Sequence, residues 1–162
     1  ALNYSMVFWD RIYAEVAEAH PDIQRDMALV DALTMWFVKN PEWFDVVVAS
    51  NLFGDIVTDL GAMLQGGMGF AAGGNIDPER RYPTMVEPIH GSAPKYTGQK
   101  RVNPIASVEA VRMMLDHLGE HQAADAVGAA VGAVLAAGEV RTKDIGGDNT
   151  TDEVGEAIAA LI

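Results

Sequence analysis

Phe44-Asp45-Val46-Val47-Val48-Ala49-Ser50, running on into Asn51-Leu52-Phe53-Gly54-Asp55-Ile56-Val57-Thr58-Asp59, is the stretch whose reading decides the fold. The β-branched apolar run at 44–50 predicts a buried strand. After Asn51 the apolar residues fall at helical spacing, which puts Ile56, Leu60, Met63 and Leu64 on an expected core face. The chain therefore leaves a sheet and enters a helix whose opening turns carry Asp55 and Asp59. At i,i+4 these two carboxylates share a face and repel by about 0.2–0.5 kcal/mol unless a cation sits between them. The helix macrodipole favours an acid in the first turn, which accounts for Asp55 better than for Asp59. Two readings stay open at this point: first-turn acids, or a cation site at the carboxyl end of a strand.

On the N-terminal side, Ser5 is placed to cap a helix reaching about His20, with Met6, Trp9, Ile12, Tyr13 and Val16 facing inward. Pro21 stops it, and Ile23–Met27 reads as a short strand. A second helix carries Leu29, Leu33, Trp36 and Phe37 and halts at Asn40-Pro41. Asp31, near its start, is either a first-turn acid or a third ligand beside Asp55 and Asp59.

On the C-terminal side, Gly61, Gly66, Gly67, Gly69, Gly73 and Gly74 crowd into a short segment, a sign of tight turns and of a boundary between structural units. Its spacing is not that of a dinucleotide fingerprint. Residues 75–84 (NIDPERRYPT) read as a polar loop. In the block from Met85 to Tyr96, small residues follow His90, so a ligand could approach the backbone and free turn amides could hold a phosphate. Pro104 opens a helix with Ile105, Val108, Val111, Met114 and Leu115 inward, ended by Gly119. An Ala- and Val-rich helix from Glu120 to Ala137 follows, then a loop or edge strand over Val140–Gly147. Thr150 and Glu153 form the sequence pattern of a capping box for a last helix, Thr151–Leu161.

The chain of 162 residues is 49% hydrophobic, enough for one globular domain or for parts of two. Its net charge of −12 argues against nucleic acid or an anionic membrane surface as partner. The absence of cysteine rules out disulfides and thiolate metal sites, and makes a reducing cytoplasm the default location. No apolar run reaches the ~18 residues of a membrane span, and the start lacks the basic-then-apolar pattern of a signal peptide. A start at Ala1 with a helix almost at once suggests a piece of a longer protein, although removal of an initiator Met would look the same. One strong strand is also too few for a complete α/β sheet.

Two motif blocks resemble the β-decarboxylating dehydrogenases, the family of isopropylmalate, isocitrate, homoisocitrate and tartrate/D-malate dehydrogenases. Residues 51–70 (NLFGDIVTDLGAMLQGGMGF) match its signature, EPIHGSAP (87–94) and NPIA (103–106) its cofactor loop, and RTKDIGG (141–147) its C-terminal loop. The resemblance implies the C-terminal half of the two-domain isopropylmalate dehydrogenase-like fold, α/β in class and helix-rich. Residues 1–66 would belong to the small, dimer-forming, metal-site domain, and 67–162 to the C-terminal part of the large, cofactor-binding domain.

The same resemblance implies the site. Asp55 and Asp59 would ligate Mg²⁺ or Mn²⁺, with Asp31 reaching the site of the other subunit in a homodimer. Glu87 would lie near the nicotinamide ribose, His90, Gly91, Ser92 and Ala93 along the phosphates and adenosine, and Asn103 at the adenine. Lys95-Tyr96 is the pair that meets the 2′-phosphate in NADP-dependent isocitrate dehydrogenases, and Lys143 could add a second cation. The pair favours NADP, but Gly147 and Lys143 stand where those enzymes carry Arg and Tyr, so NAD or dual use stays open. The family's proton-transfer lysine and tyrosine would lie upstream of Ala1, leaving no catalytic residue in this chain. The implied reaction is oxidative decarboxylation of a small 2-hydroxy acid. NIDPERRYPT and VVVASNLFGDI look most like tartrate/D-malate dehydrogenases, then isopropylmalate dehydrogenase, while Lys95-Tyr96 alone favours isocitrate. An inactive fragment serving only as a dimerisation module is the alternative of a different class.

Overall fold

A computed structural model describes residues 3–162, which divide between Trp43 and Phe44 into two compact units. The first holds α1 (Ser5–Glu18) and α2 (Val30–Lys39), followed by a 3-10 turn at Pro41–Trp43. Of its described residues only Leu33 is buried. Trp36 and Trp43 close the end of α2, their ring centroids 5.3 Å apart, and the Lys39 ammonium lies 5.0 Å from the Trp36 ring.

Two expectations fail in this unit. Ser5 lies inside α1, whose N-cap position is Tyr4 with no side-chain hydrogen bond, and Ile23–Met27 is not a strand. The inward residues of α1 are also only partly covered: Met6, Trp9 and Tyr13 are half-buried, while Ile12 and Val16 are exposed. An apolar stripe records a preference for burial; it buries nothing until another surface meets it.

The second unit contains α3 (Asn51–Leu64), β1 (Ala72–Asn75), β2 (Met85–Pro88), α4 (Ile105–Leu118), α5 (His121–Ala137) and α6 (Thr151–Ala159). Strands β1 and β2 are antiparallel, with Ala72 opposite Pro88 and Asn75 opposite Met85. Helix α4 packs on both strands and on α5, and α5 packs on α6. The core lies among these helices: Ile105, Ala130, Val131, Val134, Val154 and Ile158 are buried together, with Phe70, Val108, Leu135, Val140 and Ala157 against them. Three of its six members come from α5, whose Ala and Val side chains allow close approach on both sides.

The predicted strand at 44–50 is not formed, and Val46 is 89% exposed. A strand is held by hydrogen bonds to a neighbouring strand, and no described segment pairs with these residues. The two strands that do form lie where turns and loops were expected: β1 inside the glycine cluster, β2 just before the His90 turn. Helix α3 also faces differently. Val57 and Ala62 are buried and Phe53 and Leu60 half-buried, whereas Ile56, Met63 and Leu64 are exposed. On α4, Ala106 and Ala110 take the inward places foreseen for Val111 and Met114, both exposed. Pro104 is the N-cap of α4, not its first turn. Residues 140–147 form no strand; a 3-10 turn at Lys143–Ile145 stands there. The capping box of α6 is present as its sequence pattern predicts.

Candidate functional site

Helix α3 begins directly after the extended Ser50, whose carbonyl accepts the Gly54 N–H at 2.7 Å. Val57 turns inward, so Asp55 and Asp59, two residues to either side, fall on the opposite, exposed face. Neither carboxylate has an ion pair among the described residues. Their mutual repulsion is therefore unrelieved by protein groups, and the open side is a pair of hard oxygen donors. Those donors suit Mg²⁺ or Mn²⁺, which keep several waters and need few protein ligands. Two carboxylates make a partial site, and no cluster of three metal-binding side chains occurs among the described residues. Asp31 lies in the first turn of α2, exposed, with Oδ1 accepting the Ala32 N–H at 2.8 Å.

The second constellation follows β2. Glu87 pairs through its backbone with Gly73 and its side chain is exposed. The chain then turns: the Gly91 N–H donates to Pro88 at 3.1 Å, and Gly91 and Ala93 take φ values of 64° and 43°. A left-handed alanine is uncommon and marks a turn held by its surroundings. The Ser92 and Ala93 N–H groups have no acceptor among the described residues, which is the arrangement that receives an anion. His90 stands beside them. Its Nδ1 is 2.7 Å from the Gly91 carbonyl, while Nε2 is buried without a partner. A buried polar atom left unsatisfied is costly, and because Nδ1 donates to the carbonyl, a ribose hydroxyl donating to Nε2 would relieve it. These features fit a nucleotide cofactor.

After the turn, the 3-10 segment Pro94–Tyr96 presents Lys95 to solvent and half-buries Tyr96. The Lys95 ammonium lies 5.6 Å from the Tyr96 ring centroid and the Arg101 guanidinium 5.1 Å. Lys143 is exposed and shares an open cleft with Lys100, Arg101, Asp148, Asn149 and Thr150.

Asn103 has a structural task. At 3% exposure, its Oδ1 accepts the Ile105 N–H and its Nδ2 donates to Asp144, both at 3.0 Å. Thr142, fully buried, donates to the other oxygen of Asp144 at 2.5 Å. Gly69 fits against this group only because it lacks a Cβ, which would lie 2.7 Å from Asp144 and 2.8 Å from Asn103. The knot ties the glycine segment, the start of α4 and the 141–147 loop together. Sequence reasoning missed Asp144 and Thr142, although a threonine two residues before an aspartate is a pattern for local side-chain hydrogen bonding. It missed Arg101 as well, because nothing local marks an arginine five residues from a tyrosine as lying against its ring.

The isocitrate/isopropylmalate dehydrogenase family model matches residues 2–158. The chain belongs to that family. It is 47% identical over 161 residues to a 3-isopropylmalate dehydrogenase of Thermobifida fusca, covering 99% of this chain and 44% of the relative. It is 48% identical over 162 residues to a probable tartrate dehydrogenase/decarboxylase of Agrobacterium vitis, covering 100% and 45%. Among solved structures, an isocitrate dehydrogenase from Methylococcus capsulatus superposes with a TM-score of 0.93 at 40% identity, over 99% of this chain and 47% of that one. The helix-rich α/β architecture is thus the family's, and the chain spans a little under half the length of the curated relatives it matches. These relatives are dehydrogenases or decarboxylases by name. No described helix is long and apolar enough to cross a membrane.

Proposed function

We propose that this chain supplies the metal and nucleotide sites of an enzyme for metal-dependent, NAD(P)-linked oxidative decarboxylation of a malate-type 2-hydroxy acid, tartrate/D-malate or 3-isopropylmalate. The observation that carries this is the exposed pair Asp55 and Asp59, unpaired and one helical turn apart in a family of dehydrogenases. Asp55 and Asp59, with Asp31 from a second subunit, would hold Mg²⁺ or Mn²⁺. When bound, the ion supplies Lewis-acid polarisation of the substrate's hydroxyl and carboxylate oxygens. The free Ser92 and Ala93 amides and His90 Nε2 receive the cofactor's phosphates and adenosine ribose, and Glu87 lies toward the nicotinamide ribose. Lys95, Tyr96 and Lys143 favour NADP over NAD, because a cation there complements a phosphate and leaves no carboxylate for ribose hydroxyls. Asn103 meets the adenine through its backbone or its remaining amide hydrogen.

Residues 1–66 act in the dimer-forming, metal-site domain and 67–162 in the cofactor domain, with the protein a cytoplasmic homodimer. Exposed Leu52, Ile56, Met63 and Leu64 on α3 support a covered state of that helix in the assembly. With no residue of its own for proton transfer, the 162-residue chain alone should show no turnover; measurable dehydrogenase activity would refute this.

The deciding experiment uses a protein of the relatives' length containing this chain, with Mn²⁺ and either cofactor. Turnover of D-malate, tartrate or 3-isopropylmalate is expected. Turnover of isocitrate alone would overturn the malate-type reading in favour of the isocitrate alternative, which Lys95-Tyr96 favours. Asp55→Asn and Asp59→Asn should each abolish the rise in melting temperature produced by Mn²⁺. Light scattering on the separate chain tests the dimerisation module.

A further inference from the structure

We propose that Arg101 binds the 2′-phosphate of NADP and is a specificity-determining residue of the nucleotide site, an assignment that rests on the cofactor reading above. The Arg101 guanidinium and the Lys95 ammonium both lie against the Tyr96 ring, at 5.1 Å and 5.6 Å from its centroid. One ring thus gathers two cations contributed by residues on either side of a turn. The cleft beside it is lined by Arg101 and by Lys143, the single cation of the 142–150 loop, with Asn149 and Thr150 as further polar groups.

The charges at this place are unspent. Among the described residues Lys95, Arg101 and Lys143 have no carboxylate within ion-pair distance, whereas the neighbouring Lys100 is bound to Asp152 at 2.5 Å. Asp148 is the one acid lining the cleft. In a chain of net charge −12, such a local excess of cations sets up a potential that an anion is drawn to. The cation–π contact with Tyr96 uses none of the N–H donors of Arg101, which stay available for hydrogen bonds. A planar fork of donors matches the oxygens of a phosphomonoester, while the Lys95 ammonium adds a point charge. A ribose 2′-hydroxyl offers neither charge nor a second acceptor oxygen, so Arg101 separates the two nucleotides.

The test is calorimetric titration of the protein with NADP⁺ and with NAD⁺, comparing wild type with Arg101→Gln, Arg101→Lys and Lys95→Gln. Arg101→Gln should weaken NADP⁺ about tenfold, the loss of one charge-assisted contact, and leave NAD⁺ within about twofold. Arg101→Lys should recover part of the loss. If Lys95→Gln weakens NADP⁺ and Arg101→Gln does not, the assignment of Arg101 falls and the cofactor reading stands. If Arg101→Gln weakens both nucleotides equally, the residue does not read the phosphate and the assignment also falls. Equal wild-type affinity for the two nucleotides, or binding of neither, would overturn the NADP preference together with Arg101.

Discussion

Helices α1 and α6 are both amphipathic, and they end differently. Helix α6 is nine residues long, begins with a complete capping box and buries Val154 and Ile158 in the core. Helix α1 is fourteen residues long, has no side-chain cap and buries none of its residues. The shorter helix is the anchored one. Isolated helices of either length are marginal in water, so what fixes α6 is its neighbour α5 and its cap, while α1 presents Val7, Phe8, Ile12 and Val16 to solvent.

The largest expected effect follows from that contrast. Ile158→Ala removes a side chain that is 2% exposed and should cost about 2–5 kcal/mol in urea unfolding, transfer and cavity terms together. Val16→Ala on α1 should stay within about 0.5 kcal/mol, as surface substitutions do. If Val16→Ala costs far more, and the cost depends on protein concentration, α1 is covered in an assembled state and the contrast is one of assembly, not of helix quality.

A smaller effect is expected one loop earlier. Asp144→Ala would leave the Asn103 amide and the Thr142 hydroxyl, both buried, without their acceptor. Each stranded donor costs about 1–3 kcal/mol, with water able to enter the vacated space and reduce the sum. Thermal unfolding should show the loss, and Asp144→Asn should restore part of it by keeping one acceptor oxygen. Below that comes Thr150→Ala, which removes the N-cap of α6 and should cost about 1 kcal/mol.

How much of this was legible follows the range of the interactions. The capping box could be read from Thr150 and Glu153 because both partners sit within one turn. The stops at Gly119 and Gly138 were legible for the same reason; both adopt left-handed φ at a helix end. The strand at 44–50 was not, since its pattern states what it would do beside another strand and cannot supply one. In β1 the glycines hid a strand: Gly73 and Gly74 admit the close approach of Ile89 and Met113, where a Cβ would lie 2.6 Å and 3.1 Å from them. At the candidate site, residue identities were legible and environments were not. Asp55, Asp59 and the His90 turn could be named from motif, but the internal use of Asn103 depends on Asp144, 41 residues away, and the orphaned His90 Nε2 and the contact of Arg101 with Tyr96 depend on how the turns between them fold.

The smallest effect sharpens the cap itself. Glu153 accepts the Thr150 N–H at 2.7 Å and its hydroxyl at 3.0 Å, and the Thr150 backbone hydrogen bond, ahead of its hydroxyl, holds the Glu153 carboxyl below its ordinary pKa. A carboxyl lowered on folding binds its proton more readily in the unfolded chain, so its stabilisation is fully present above the unfolded pKa, around 4.3 for glutamate. It is lost as pH falls through the lower folded value. Unfolding curves taken between about pH 6 and pH 3 should therefore show a pH-dependent increment in the wild type that is missing in Glu153→Gln. The substitution keeps an acceptor for the Thr150 N–H, so the two proteins should converge in stability at the acid end and separate toward neutrality. Parallel curves across the whole range would mean that the box contributes through geometry alone. Every other carboxyl of the chain is common to the two proteins, which makes the difference curve a direct readout of what the Glu153 side of the box adds to α6.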